Sequence, residues 1–183
     1  MINFIKKILS WDYTMTQKLR INPERKLLWN VSTFFAHSGD SWYCLGVLLL
    51  IWLFTKGEWH RIAAALASGT VLLAMIILAL KFSIRRRRPD GEWGAIYRNT
   101  DPHSFPSGHA TRVFFLASLA WGIAPIWCAL MLTIWAPLVA LSRVMTGVHY
   151  LSDILAGKVL GITLGIAAIF LLPWIIKLFP FAF

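Results

Sequence analysis

Residues 61–83, RIAAALASGTVLLAMIILALKFS, decide the fold. From Ile62 to Leu80 no side chain is charged, and Arg61 and Lys81 close the two ends. A hydrocarbon core about 30 Å thick needs about 20 apolar residues to be crossed as a helix, and this stretch meets that ruler. Composition extends the reading to the whole chain. Hydrophobic residues make up 58% and charged residues 14%, whereas soluble domains carry about 25% charge. Ten Trp and twelve Phe suit a bilayer and its interfaces. The expected class is all-α, an integral-membrane helical bundle.

Working outward with the same ruler gives about five transmembrane helices. They cover about 38–55 (short unless the preceding VSTFFAH turn, 31–37, extends it), about 61–83, Ser107 to just before Pro125, about 126–144 and about 152–177. Pro137 falls inside the fourth, where neighbouring helices can satisfy the backbone it disturbs. Ahead of the spans, residues 1–37 read as an N-terminal interfacial segment. Ile2, Phe4, Ile5, Ile8, Leu9 and Trp11 can meet lipid there while Lys6 and Lys7 reach phosphates. Residues 12–36 read as a helix lying on the surface. The first residues lack the sustained apolar stretch and small-residue cleavage site of a signal peptide. The chain is therefore expected to be a single domain, residues 1–183, with 38–183 as its transmembrane core.

The net charge of +10 points to anionic headgroups rather than nucleic acid. Much of it lies between apolar spans, and no nucleic-acid module or aromatic-interleaved basic groove is present. Cys44 and Cys128 both sit in apolar stretches, without CxxC or Cys/His spacing, so neither a disulfide nor a zinc site is expected.

The five spans place distant polar residues on one membrane face. Lys81, Arg85 to Arg88, His103, His109, Arg143, His149 and Asp153 gather there, while Lys56, His60, Arg61 and Lys177 lie opposite. Three clusters stand out on the first face: Lys81-x6-Arg88-Pro89, Pro106-Ser107-Gly108-His109, and Ser142-Arg143-x5-His149-x3-Asp153. Each alone has an ordinary explanation, such as a headgroup anchor, a helix-starting turn or a local helical pair. Arg85, Arg86 and Arg87 are kept as headgroup anchors. The coincidence of all three clusters on one face requires more.

Their chemistry suits a phosphoryl group. Lys81, Arg88 and Arg143 supply positive charge, and the guanidiniums can grip phosphate oxygens bidentately. Ser107 and Gly108 at a helix N-terminus offer backbone N–H groups to an anion. His149 lies one turn from Asp153, whose carboxylate can accept from Nδ1–H and leave Nε2 free to attack phosphorus. His109 can then protonate the leaving group and later activate water. His37 and Asp40, near the site face, read as caps of the first span, with a role toward substrate as the lesser alternative. Residues 91–105, with Glu92, Trp93, Tyr97, Arg98, Asp101 and His103, read as a specificity loop, with His103 a loop contact.

These three motifs resemble the signature of the type 2 phosphatidic acid phosphatase (PAP2) superfamily, matching its fixed residues throughout 81–153. The resemblance implies metal-independent hydrolysis of a lipid phosphate without a cofactor. Its nucleophile is His149, its acid/base His109 and its orienting carboxylate Asp153, with Lys81, Arg88, Ser107, Gly108 and Arg143 as phosphate binders. Candidate substrates are phosphatidic acid, phosphatidylglycerophosphate, undecaprenyl pyrophosphate and lipid A 1-phosphate. Many bacterial members have six spans; here the N-terminal segment replaces the first. The expected location is a bacterial inner membrane, on the periplasmic face by resemblance, although the Lys and Arg count favours the cytoplasm. The alternatives are a lipid phosphotransferase using the same site and a non-catalytic lipid-binding protein. Oligomeric state is left open.

Overall fold

A computed structural model describes residues 2–90 and 101–183, with side chains from Lys7 onward. Seven helices and no strand are found among the described residues. They are α1 (Ile2–Leu19), α2 (Lys26–Ser38), α3 (Ser41–Phe54), α4 (Glu58–Ile84), α5 (Gly108–Ile123), α6 (Ile126–Met145) and α7 (Leu151–Leu178). The all-α expectation holds. Large apolar side chains such as Leu53, Met75, Ile134, Val159 and Phe170 are exposed on the outer surface, as a lipid solvent permits.

By length and apolarity, α4, α6 and α7 can each cross a membrane, and α2 with α3 form one further candidate bent by 57°. The stretch 38–55 is therefore extended by the residues before it, as its shortness required. The helix α3 has 14 residues, about 21 Å at ~1.5 Å per residue, too short to span alone. Its missing length comes from α2, expected on the surface, which buries Ser32 and Ala36 against α6. The helix also runs through the 37/38 division drawn between interfacial segment and core.

The centre of the bundle is α5, which buries residues on most of its circumference. Its 16 residues span about 24 Å, but its neighbours, rather than lipid, satisfy most of its surface. A ridge of glycines on α7 lets the two helices touch. A Cβ on Gly157 would stand 2.9 Å from the Ser107 carbonyl, one on Gly165 would stand 2.9 Å from that of Phe115, and one on Gly161 would strike the Thr111 carbonyl. Small residues at such a crossing allow backbone approach that larger ones forbid. The contact sets the start of α7, with Asp153, directly beside the start of α5.

On α1, Ile8, Leu9 and Trp11 are exposed, as expected of a lipid-facing stripe, but Asp12 and Thr16 are buried. The Leu151 N–H donates to Thr16 Oγ1 at 3.0 Å and the Ser152 N–H to Asp12 Oδ1 at 2.9 Å. These side chains satisfy the orphan donors at the N-terminus of α7. The first helix is therefore attached to the core as well as facing lipid.

Candidate active site

At its C-terminus α4 stops because Arg85 turns left-handed, at φ 52° and ψ 36°, while its N–H still donates to the Lys81 carbonyl. This conformation is uncommon outside glycine. It swings the chain back over the helix end, so that Arg86 and Arg88 point inward while Arg87 stays in solvent. A cavity of about 210 Å³ lies beneath. Its polar wall is Lys81, Arg88, Asp101, Gly108, His109, Arg112, Arg143 and His149; its apolar wall includes Ala74, Ile77 and Leu78 of α4. A larger cavity of about 540 Å³ between α4, α5, α7 and the C-terminal residues is apolar but for Ser68. Only the smaller one has the groups for chemistry on an anion.

His149 is buried between two partners of opposite kind. Its Nδ1 is 3.4 Å from Asp153 Oδ2, and its Nε2 is 3.2 Å from an Arg88 nitrogen. A guanidinium can only donate, so Nε2 is the acceptor and Nδ1 carries the proton. The tautomer follows from the partners: Nε2, with its lone pair, faces the cavity. Burial, together with the cations Arg88, Arg143 and Lys81, pushes the imidazole well below its ordinary pKa. These surroundings favour the neutral ring.

Asp101 occupies the middle of the cationic wall. Its carboxylate accepts from Lys81 Nζ and, at 2.8 Å, from Arg88, whose Nε donates to the Asp101 carbonyl at 2.7 Å. Burial would raise this carboxyl, but Lys81 and Arg88 hold it below the usual range. A dianion placed at the same point would meet the same donors, one of which, Arg88, also donates to His149 Nε2.

Behind His149 stands a second layer. Arg86 donates to Asp153 Oδ1 at 2.7 Å, to Ser152 Oγ at 2.6 Å and to Asp12 Oδ2 at 2.6 Å, and lies 4.1 Å from the Tyr150 ring centroid. Its reading as a headgroup anchor is corrected: two carboxylates and an aromatic face compete successfully with lipid for the guanidinium. Arg85 and Arg87 do remain exposed. Ser107 caps α5 by accepting from the Ala110 N–H, and its own N–H donates to the Asp153 carbonyl at 3.2 Å. Its side chain is wholly buried, and neither bond uses its hydroxyl proton; Gly108 lines the cavity.

Sequence reasoning missed Arg112, Asp40 and Asp12. Arg112 lines the cavity and donates to the Gly39 carbonyl at 2.5 Å. An arginine inside an apolar span is itself a signal of function. Asp40 lies 2.5 Å from His109 Nε2 and, though at the N-cap position of α3, makes no side-chain cap bond; its place before an apolar span suggests a cap first and a site role second. Asp12 had no signal, because its partner Arg86 lies far along the chain. His103 keeps its expected place as a loop contact, its ring edge-on to Phe82 and its carbonyl accepting from Lys81. Residues 91–100 of the expected specificity loop, including Glu92, Trp93, Tyr97 and Arg98, lie outside the described residues.

Comparison with known proteins accords with this arrangement, since the PAP2 superfamily profile matches residues 62–177. The chain belongs to the PAP2 superfamily. Decaprenylphosphoryl-5-phosphoribose phosphatase of Mycobacterium tuberculosis (strain ATCC 25618 / H37Rv) is 34% identical over 137 residues, covering 71% of this chain and 72% of its own. The same fold is seen in the first transmembrane PAP2 type phosphatidylglycerolphosphate phosphatase from Bacillus subtilis. Its TM-score is 0.71 at 24% identity, over 88% of this chain and 84% of that one. Aquifex aeolicus LpxE follows, with a TM-score of 0.66 at 23% identity over 85% and 93%. This PAP2 chain is an integral-membrane enzyme of the phosphatase class.

Proposed function

We propose that this PAP2 enzyme hydrolyses a lipid phosphate monoester or pyrophosphate through a phosphohistidine on His149. The observation that carries the reading is the Asp101 carboxylate held by Lys81 and by Arg88, the same arginine that donates to His149 Nε2, an anion in the seat a phosphoryl group would take. There, Lys81, Arg88 and Arg143 balance charge on the equatorial oxygens, and the helix N-terminus at Gly108 adds its partial positive charge. The neutral His149 attacks phosphorus through Nε2, and Asp153 stabilises the cation that forms. His109 protonates the leaving oxygen and then draws a proton from the hydrolytic water. Ser107 caps the start of α5, and its hydroxyl offers the phosphate a further donor.

The substrate class follows from depth. A phosphate seat at the ends of α4 and α7, with Ala74, Ile77 and Leu78 lining the same cavity, suits a headgroup whose tail remains in the bilayer. The M. tuberculosis relative is named for a polyprenyl-linked phosphate, so a polyprenyl phosphate joins the four earlier candidates. The membrane is read as a bacterial inner membrane with the site on its periplasmic face.

The test is phosphate release from such a lipid panel in detergent. His149→Ala should lower the rate by at least ~10³-fold, the scale seen when a covalent nucleophile is removed. A variant that releases phosphate at the wild-type rate would sink the mechanism.

A further inference from the structure

The bend between α2 and α3 is fastened to the site from two other helices. Arg112 of α5 donates to the Gly39 carbonyl at 2.5 Å, Arg143 of α6 to the Ala36 carbonyl at 3.4 Å, and Trp135 of α6 to Ser38 Oγ at 3.0 Å. Gly39 permits the closeness, since a Cβ there would stand 2.5 Å from Val139 Cγ1. The bend delivers Asp40 at the N-cap position of α3. An aspartate there ordinarily accepts from the first turn of its helix, yet Asp40 makes no side-chain cap bond. Its Oδ1 instead lies 2.5 Å from His109 Nε2, and its Oδ2 lies 3.1 Å from His37 Nδ1.

We infer that Asp40 is the positioning residue of His109, so that the site is built on two His–Asp pairs, one for each histidine. The inference rests on the acid/base reading of His109 given above. With Asp40 accepting from Nε2–H, Nδ1 is the nitrogen that exchanges protons with substrate. In the first step the Nδ1 proton passes to the leaving oxygen as its bond to phosphorus breaks and the His149 Nε2–phosphorus bond forms. In the second, water gives a proton to Nδ1 as its oxygen bonds to phosphorus and the phosphorus–Nε2 bond breaks, releasing inorganic phosphate. Both histidines return to their starting states.

The pair needs a carboxylate for an electrostatic reason. Arg112 from α5 and Arg143 from α6 face His109 and oppose its imidazolium, and Lys81 of α4 lines the same cavity. On the Asp40 side stand His37 of α2 and Cys44 of α3. Asp40 is the carboxylate in hydrogen-bond contact that offsets those cations.

The test uses the full chain in detergent with Asp40→Asn, which keeps the shape and removes the charge. The expected result is a kcat about 100-fold lower, within the range of general acid–base contributions, with KM nearly unchanged. Because the imidazolium loses its counter-charge, the alkaline limb of the kcat profile should move to lower pH. In a His109→Ala background, Asp40→Asn should add nothing further. A wild-type kcat and pH profile, or an equal loss with and without His109, overturns the inference. If His109→Ala itself keeps the wild-type rate, the acid/base reading fails and takes this inference with it; if only Asp40→Asn is silent, that reading stands alone. Should Asp40→Asn not fold, Asp40→Glu decides: partial activity with an unmoved alkaline limb is expected, and an activity as low as that of His109→Ala with no defined limb refutes it.

Discussion

At the proposed phosphate seat Asp101 would compete with the substrate. Its carboxylate takes donors from Lys81 and Arg88, so a phosphate binding there would have to displace a charged, hydrogen-bonded group. Asp101→Asn retains the shape and removes the charge. Vanadate, which resembles the trigonal-bipyramidal transition state, should then inhibit several-fold more tightly, about 1 kcal/mol by the ordinary worth of a partly exposed ion pair. Unchanged or weaker inhibition in a titration would show that Asp101 instead arranges the two cations. His149 makes a second prediction at this scale. Burial and the surrounding cations depress its pKa, so the neutral imidazole, the proposed nucleophile, persists as pH falls. The acid limb of kcat/KM, which reports the free enzyme, should lie below the ordinary imidazole value of about 6.5. A limb above that value would remove His149 as its source. Most of these residues were legible because three motifs repeat one chemistry. Asp40 and Arg86 were misread because their partners, His109 and Asp153, are reached only through the folded bundle.

Among the elements, α4 and α7 were readable nearly to their ends, since long uninterrupted apolar stretches admit one solution in lipid. The bent α2–α3 pair was readable only in part: the shortness of 38–55 asked for 31–37 to extend it, but nothing announced the bend. Residues 26–38 mix Lys26, Asn30 and His37 with apolar side chains, and composition alone ranks such a helix as surface. Its polar groups are tolerated because α6 and the site arginines meet its end. The glycine ridge on α7 was likewise silent, because Gly157, Gly161 and Gly165 gain meaning only once α5 is seen against them. Gly161→Leu should force that contact apart. Overpacking typically costs 1–3 kcal/mol, and here it would also displace Asp153 from Ser107. A lower melting temperature together with lost activity is expected, while Gly46→Leu, where a Cβ meets nothing within 4 Å, should leave both unchanged. Equal melting temperatures for the two variants would refute a packing role for the ridge.

Across the whole molecule, the charge distribution bears on orientation. The site face holds most of the Lys and Arg, which by the positive-inside rule would turn it toward the cytoplasm. The structure removes several of those charges from the count. Lys81, Arg88 and Arg143 are buried in the cavity wall, and Arg86 is shared between Asp12 and Asp153. Charges committed to a site or neutralised by carboxylates give little electrostatic preference between leaflets, so the proposed periplasmic site is compatible with the excess. Arg87 provides a reporter, its side chain being 79% exposed on the site face, and Lys56 provides one at the opposite end, between α3 and α4. In a chain with Cys44 and Cys128 replaced by serine, Arg87→Cys should react with a membrane-impermeant maleimide in intact spheroplasts. Lys56→Cys should react only after the membrane is permeabilised. The reverse pattern would put the phosphate seat in the cytoplasm, and the enzyme would then draw its lipid from the inner leaflet.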